Sequence, residues 1–499
     1  MQPFIVLPYK PENLAIALSN SLTSPEKIQG KRHFKYFLEY LGNTGDSLNA
    51  KTIVVEYEYI SKSYLIDYSN FYSTCFGQYE RFCKRIHFFS SVFDENKFNN
   101  AILKPSKKSI IWDNYLGYVV VKPLPLLSIG ATLLKTYEFT DTHKRYFPAA
   151  KTYNVNLFGR ELSIKSLAFQ EQDSVVGACA SSALWSAFQK TSELFQTPLP
   201  SPSDITKSAK NSFQNSGRTY PNGGLDHYQI GNAIESVGLV SELRNSKKFK
   251  AAGVGFIKSF IYAYNRLGLP ILVGIQFPDG GHLITIAGYK EEMDISFTRN
   301  KDISLKASKI ERFYAHDDQV GPFSRISFDR KGNIITSWHN GKKHQTAEFV
   351  SLFIPLYNKI RLSFETIHFK MQLIDFYFLH QFPRTAVFWD IYLSFSNSYK
   401  EEIFKSSTLD SKKRYVLLTE HLPKYIWVAK GIIKNECVIE FIFDATQIAT
   451  SESCIRINIF NDSLRSVLAT QLNASSNKDY FMNEVSEHFL NMLIKSTGE

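Results

Sequence analysis

Cysteine is scarce and unpaired in this sequence. The five in 499 residues (Cys75, Cys83, Cys179, Cys437 and Cys454) have neither the short paired spacings of a zinc site nor the density of a disulfide framework. That excludes a small stapled secreted scaffold and fits a reducing compartment. No run of about eighteen apolar residues occurs. The best candidate, 115–134, is interrupted by Lys122, Pro123 and Pro125, so no membrane span is expected. The start lacks a basic segment followed by a long apolar core, and Pro8 breaks its only apolar run; the expectation is a cytoplasmic protein without a secretory signal. Dense Arg/Lys runs, internal repeats and low-complexity tracts are also missing, and 474–478 reads as a surface turn. Lys and Arg exceed Asp and Glu by 58 to 47, but a surplus this dispersed reads as a solvated surface, not a nucleic-acid-binding face.

What is present is a globular composition, 44% hydrophobic and 21% charged, in a chain longer than one core usually organises. Three domains are expected, over 1–150, 151–355 and 356–499, in an α+β fold whose outer domains are mixed α/β. In the first, 52–59 and 115–121 read as strands and 78–89 as a helical candidate. In the last, 359–380, 386–395 and 437–443 mix helical and β-like patterns. Neither outer domain carries a motif that converts to chemistry.

The middle does. A polar stretch, Phe169-Gln-Glu-Gln-Asp, leads to Gly177-Ala-Cys179 and then to an Ala-rich pattern in which Leu184, Ala187, Phe188 and Phe195 share a helical face. Cys179 therefore sits at a helix N-terminus, where unpaired backbone N–H groups and the helix dipole favour a thiolate. A cysteine on such a helix is more often plain core, so a partner is needed. About a hundred residues on, two apolar strands flank Pro278-Asp-Gly-Gly281, and His282 opens the second, which places its imidazole at an exposed sheet edge with the glycines leaving room for a substrate backbone. A third segment, Glu311-Arg-Phe-Tyr-Ala-His-Asp-Asp-Gln-Val-Gly-Pro322, reads as a short strand ending in acids. Asp317 emerges where it stops, placed to accept the other imidazole N–H. Asp318 stays open as the alternative acid, and His316 and Asp318 read most simply as solvent-exposed turn residues.

Residues 170–330 resemble the papain-like cysteine peptidase superfamily, and within it the bacterial branch related to the double-glycine, bacteriocin-processing peptidases. The resemblance rests on a Gln before the helix-starting Cys, a Gly-His opening a hydrophobic strand that ends in Gly-Tyr, and an acid ending the next strand before Gly-Pro. The helical segments 226–237 and 256–267 also resemble that branch. The Cys-Gly-Ser/Ala-Cys-Trp signature of secreted papains is absent, and 290–312 is longer and more charged than a tight hairpin needs. The resemblance implies a central papain-like domain over 151–355 with Cys179 as nucleophile, His282 as base, Asp317 as orienting acid and Gln172, with Gln170 as fallback, as oxyanion donor. It implies a protein or peptide substrate and requires no cofactor or metal. The expected function is an intracellular cysteine peptidase or thioester hydrolase. An acyltransferase or transglutaminase-like enzyme on the same triad is one alternative. A noncatalytic binding or regulatory scaffold in bacterial defence is the other. The outer domains could bind a regulatory protein, and the polar loop 201–224 reads as an ordinary surface loop.

Overall fold

The structure is a computed structural model that describes residues 2–43, 45–104, 110–126, 128–173, 177–210, 224–293, 302–340, 343–381, 386–407 and 409–498. It is α+β, with 39% helix and 33% strand. No helix among the described residues is long and apolar enough to cross a membrane. The chain forms two compact units: Met1–Ser246 with Gly268–Lys290 and Arg312–Pro355, and Lys247–Leu267 with Glu291–Glu311 and Leu356–Glu499.

In the first unit, strands β1 (Phe4–Pro8), β2 (Thr52–Tyr59), β3 (Cys83–Phe89), β4 (Tyr115–Val121) and β5 (Ile129–Leu134) form an antiparallel sheet in that order. The helical expectation for 78–89 is corrected here, since 83–89 is the central strand. Ile86, His87, Phe88 and Phe89 are all fully buried. A strand covered on both faces loses the alternation that identifies it, and a short apolar run is then ambiguous by periodicity. The 115–121 strand is as expected, and all of its residues except Tyr118 are buried. Residue 150, the expected first boundary, lies inside this unit. Ala149 and Ala150 share one buried cluster with Phe37, Ile53 and Phe88 and with Tyr314 and Phe323.

The second sheet of this unit positions the site. Beyond β6 (Arg145–Tyr146), the β7–β8 hairpin (Lys151–Leu157, Arg160–Ser166) and β9 (Val240–Asn245) come six strands in succession. They are β10 (Ile271–Phe277), β11 (Gly280–Glu291), β12 (Ile310–Asp317), β13 (Gly321–Phe328), β14 (Ile334–Asn340) and β15 (Lys343–Leu356). Each is bonded to the next, and β10 pairs with both β11 and β15, so the six close into a ring. Closure removes edges, and inward-facing side chains fill the interior. The helix Cys179–Phe195 packs on this sheet, with Thr285 Oγ1 donating to Ala183 O at 2.9 Å. The helix Arg32–Leu41 approaches β13 so closely that a Cβ on Gly321 would stand 2.3 Å from Tyr36 Cδ1.

The second unit holds an antiparallel meander, β16 (Phe388–Phe395), β17 (Tyr425–Ile433), β18 (Glu436–Asp444) and β19 (Cys454–Ile459). Trp389, Trp427, Tyr392 and Tyr399 fill its core. The helix Phe364–Gln381 and the strands β16 and β18 fall where 359–380, 386–395 and 437–443 suggest them.

Candidate active site

Cys179 is the first residue of its helix, following Ala178, which offers no side-chain cap. The backbone N–H groups of the first turn therefore have no intrahelical acceptor, and they and the dipole face whatever charge develops there. Cys179 is half-buried, and all five cysteines are free.

His282 is the third residue of β11 and pairs across the hairpin with Ile275. Ile284 and Ile286, further along the strand, are fully buried. Of the two glycines before it, Gly280 leaves open space, since a Cβ there, at φ +152°, would meet nothing within 4 Å, whereas one on Gly281 would stand 3.4 Å from Gln276 Oε1. The expectation of an exposed edge is corrected. β11 lies between β10 and β12, and His282 is 8% exposed. Its Nε2 donates to Asp317 Oδ1 at 2.9 Å, and the imidazole lines the same cleft as Cys179. With Nε2 engaged by the acid, Nδ1 is the nitrogen left for the thiol.

Asp317 ends β12 beyond a bulge that falls between Ala315 and Asp317. A bulge breaks alternation and re-aims a side chain. Three donors converge on the carboxylate: His282 Nε2, the Gln319 backbone N at 3.0 Å on Oδ1, and Trp338 Nε1 at 2.7 Å on Oδ2. Burial alone would raise its pKa, but the His282 charge and these hydrogen bonds outweigh it and hold the carboxyl below its ordinary value. Burial alone would likewise discourage charge on His282. Asp317 and Asp318, together with the hydrogen bond to Asp317, hold the imidazole well above its ordinary value.

Asp318 and His316 are also buried, not solvent-exposed turn residues as expected. Asp318 Oδ1 stands 3.5 Å from His282 Nε2 and has no hydrogen-bond partner among the described residues, while burial, reinforced by Asp317, pushes the Asp318 carboxyl up to about 6. The Asp318 carbonyl is bonded by His33 Nε2 at 2.8 Å. His316 Nε2 donates to Leu167 O at 3.0 Å, its Nδ1 accepts from Phe323 N, and burial pushes it down to about 3. It is a neutral structural histidine.

Gln172 lines the same open cleft of about 700 Å³ as Cys179 and His282, whereas Gln170 is buried against Ser182, His316 and Asp318. Two residues that the sequence did not single out complete the cleft. Trp338, on β14, stacks on Phe277 with ring centroids 4.4 Å apart and meets the His282 ring edge-on at 5.4 Å. Arg32 lies over the Trp338 ring at 4.3 Å. Their distance along the chain from Cys179 and His282 left no spacing signal. The expectation of a surface loop over 201–224 is corrected in part, since Pro202–Ser208 is a helix capped by Ser201 with Ile205 fully buried; Gly224 lines the cleft, and 211–223 lie outside the described residues, as do 294–301 of the 290–312 segment.

His282, Asp317 and Asp318 also bring one potential metal-ligand atom each within 4.8 Å of one another. Both Asp317 oxygens are already occupied by donors, and a cation on His282 Nε2 would have to displace the proton shared with Asp317. The hydrogen bonding fits an imidazole–carboxylate pair better than a metal centre. No protein-family model matches this sequence, and no curated protein matches it either.

Proposed function

We propose that the first unit is a cysteine hydrolase of papain-like type, acting inside the cell on a peptide amide or thioester. The observation that carries the reading is one arrangement: a thiol on the first residue of a helix, sharing a cleft with an imidazole whose Nε2 is 2.9 Å from a buried carboxylate. Nucleophile, base and orienting acid stand in the order that acyl transfer requires.

In the proposed sequence the Cys179 sulfur, its proton held by His282, attacks the substrate carbonyl carbon. The oxygen gains the negative charge. The Cys179 backbone N–H, free of an intrahelical acceptor, faces that oxygen with the Gln172 side chain as second donor. Collapse breaks the C–N bond, and the amine leaves with the proton from His282. Water then attacks the thioester, giving its proton to His282, and the acid product departs as the thiol reforms. Asp317 keeps the Nε2 side of the ring occupied throughout, so that the Nδ1 side serves sulfur, leaving group and water in turn.

Incubation of the protein with peptide mixtures, read by mass, tests this. Products heavier than the intact peptide by one water in total, lost in Cys179→Ala, are expected. Products in which an acyl group is joined to an amine would replace hydrolysis by transfer. Equal product formation by a folded Cys179→Ala variant would rule out both.

A further inference from the structure

We propose that Arg32, stacked on Trp338, forms an anion subsite beside Cys179 that selects substrates carrying a carboxylate close to the scissile bond. This rests on the cysteine chemistry proposed above. Phe277, Trp338 and Arg32 form a stack: the Trp338 ring has Phe277 parallel to it at 4.4 Å and the Arg32 guanidinium at 4.3 Å, distances that two groups could not share on one face. The same ring meets the His282 imidazole at 5.4 Å and is tied to Asp317 through Nε1. The guanidinium is therefore registered to the catalytic series through one rigid side chain.

Arg32 is exposed and lines the cleft with Cys179 and Gln172. It has no ion-pair or hydrogen-bond partner among the described residues, whereas its neighbour Lys31 is spent on Glu171 at 2.8 Å. Asp279, the acid on the cleft wall, makes no ion pair with it. A stacked guanidinium keeps its in-plane N–H donors free, and that fork matches a carboxylate. A single fixed cation fits a monoanion, which favours a carboxylate over a phosphate dianion. It would come from an acidic side chain or from a free C-terminus.

The test uses the full chain and two small alkylating probes, iodoacetate and iodoacetamide, with Cys179 labelling followed by peptide mass spectrometry at pH 7. Their rate ratio reports the field at the thiol independently of thiol reactivity. In Arg32→Gln the iodoacetate to iodoacetamide ratio is expected to fall about two- to fivefold, as removal of a unit charge across a partly hydrated cleft implies, and Arg32→Lys to retain most of it. An unchanged ratio in Arg32→Gln, with Cys179 still labelled in a His282-dependent way, would overturn the subsite and leave the hydrolase reading standing. No Cys179 labelling by either probe would instead remove the hydrolase reading and the subsite with it. Protection of Cys179 from iodoacetamide by N-acetyl-Ala-Glu-Ala-amide or by N-acetyl-Ala-Ala-Ala free acid distinguishes the two carboxylate sources. Equal protection by both and by the uncharged N-acetyl-Ala-Ala-Ala-amide would also overturn the proposal.

Discussion

Replacement of His282 by alanine gives the most discriminating view of the series, because it changes the shape of a pH profile and not only its height. With Asp317 at 2.9 Å and Asp318 at 3.5 Å, the imidazole is held well above its ordinary value, which favours the protonated ring. An imidazolium beside the sulfur favours the thiolate, so under the proposed pairing iodoacetamide labelling of Cys179 in the native protein should vary less than about tenfold between pH 6 and 9. Without the imidazole, the sulfur must ionise by itself. An ordinary thiol of pKa about 8.5 is ionised to roughly 0.3% at pH 6 and roughly three-quarters at pH 9, so the His282→Ala rate should climb about 200-fold over that range. The variant is then slower at pH 6. At pH 9 it equals or overtakes the native protein, because a more basic thiolate is the better nucleophile. Site-resolved mass spectrometry, with the other four cysteines as internal controls, gives both curves. A native profile as steep as that of the variant would refute the thiol–imidazole pairing, whatever the absolute rates.

Trp338→Phe keeps the ring against Phe277 and removes only the Nε1 donor to Asp317 Oδ2, a bond to a charged acceptor worth about 1.5–3 kcal/mol. Because Asp317 has a lowered value, its contribution is present above the unfolded carboxyl range near 3.8 and disappears as pH falls through the folded value; urea unfolding should show the loss at pH 7 and little of it in strong acid. Asp318→Asn should act in the opposite direction. Its carboxyl is raised to about 6, so the fold binds more protons than the unfolded chain between about 4 and 6, and stability falls as pH rises through that window. Removing the group should stabilise the protein by up to about 3 kcal/mol above pH 6 and by nothing below pH 4, and stabilisation that is the same at pH 4 and pH 8 would contradict that account. Gly321→Ala puts a Cβ 2.3 Å from Tyr36 Cδ1 and should cost about 1–3 kcal/mol in urea unfolding; an unchanged midpoint would mean that the Arg32–Leu41 helix is free to move.

Local signals made part of this site legible from sequence. The helix beginning at Cys179 follows from an Ala-rich pattern behind a polar approach, and the β10–β11 hairpin from Pro278-Asp-Gly-Gly281 between apolar runs. What the sequence left open depended on the tertiary arrangement. Alternation could not choose between Asp317 and Asp318, because the bulge after Ala315 abolishes alternation at that point. His282 reads as an edge residue only if the hairpin is the margin of its sheet. Closure of six strands leaves no margin there, and the eight residues from His282 to Tyr289 are buried in succession, which erases the polar–apolar period. The same loss of period disguised 83–89. Trp338 comes from a later strand and Arg32 from a helix 147 positions before Cys179, so neither forms a motif with the residues it serves. The burial that hid these side chains from pattern reading also gives the site its chemistry. In water a histidine beside two carboxylates would be screened, but with all three groups buried the pair outweighs the desolvation of the imidazole and favours its charged form.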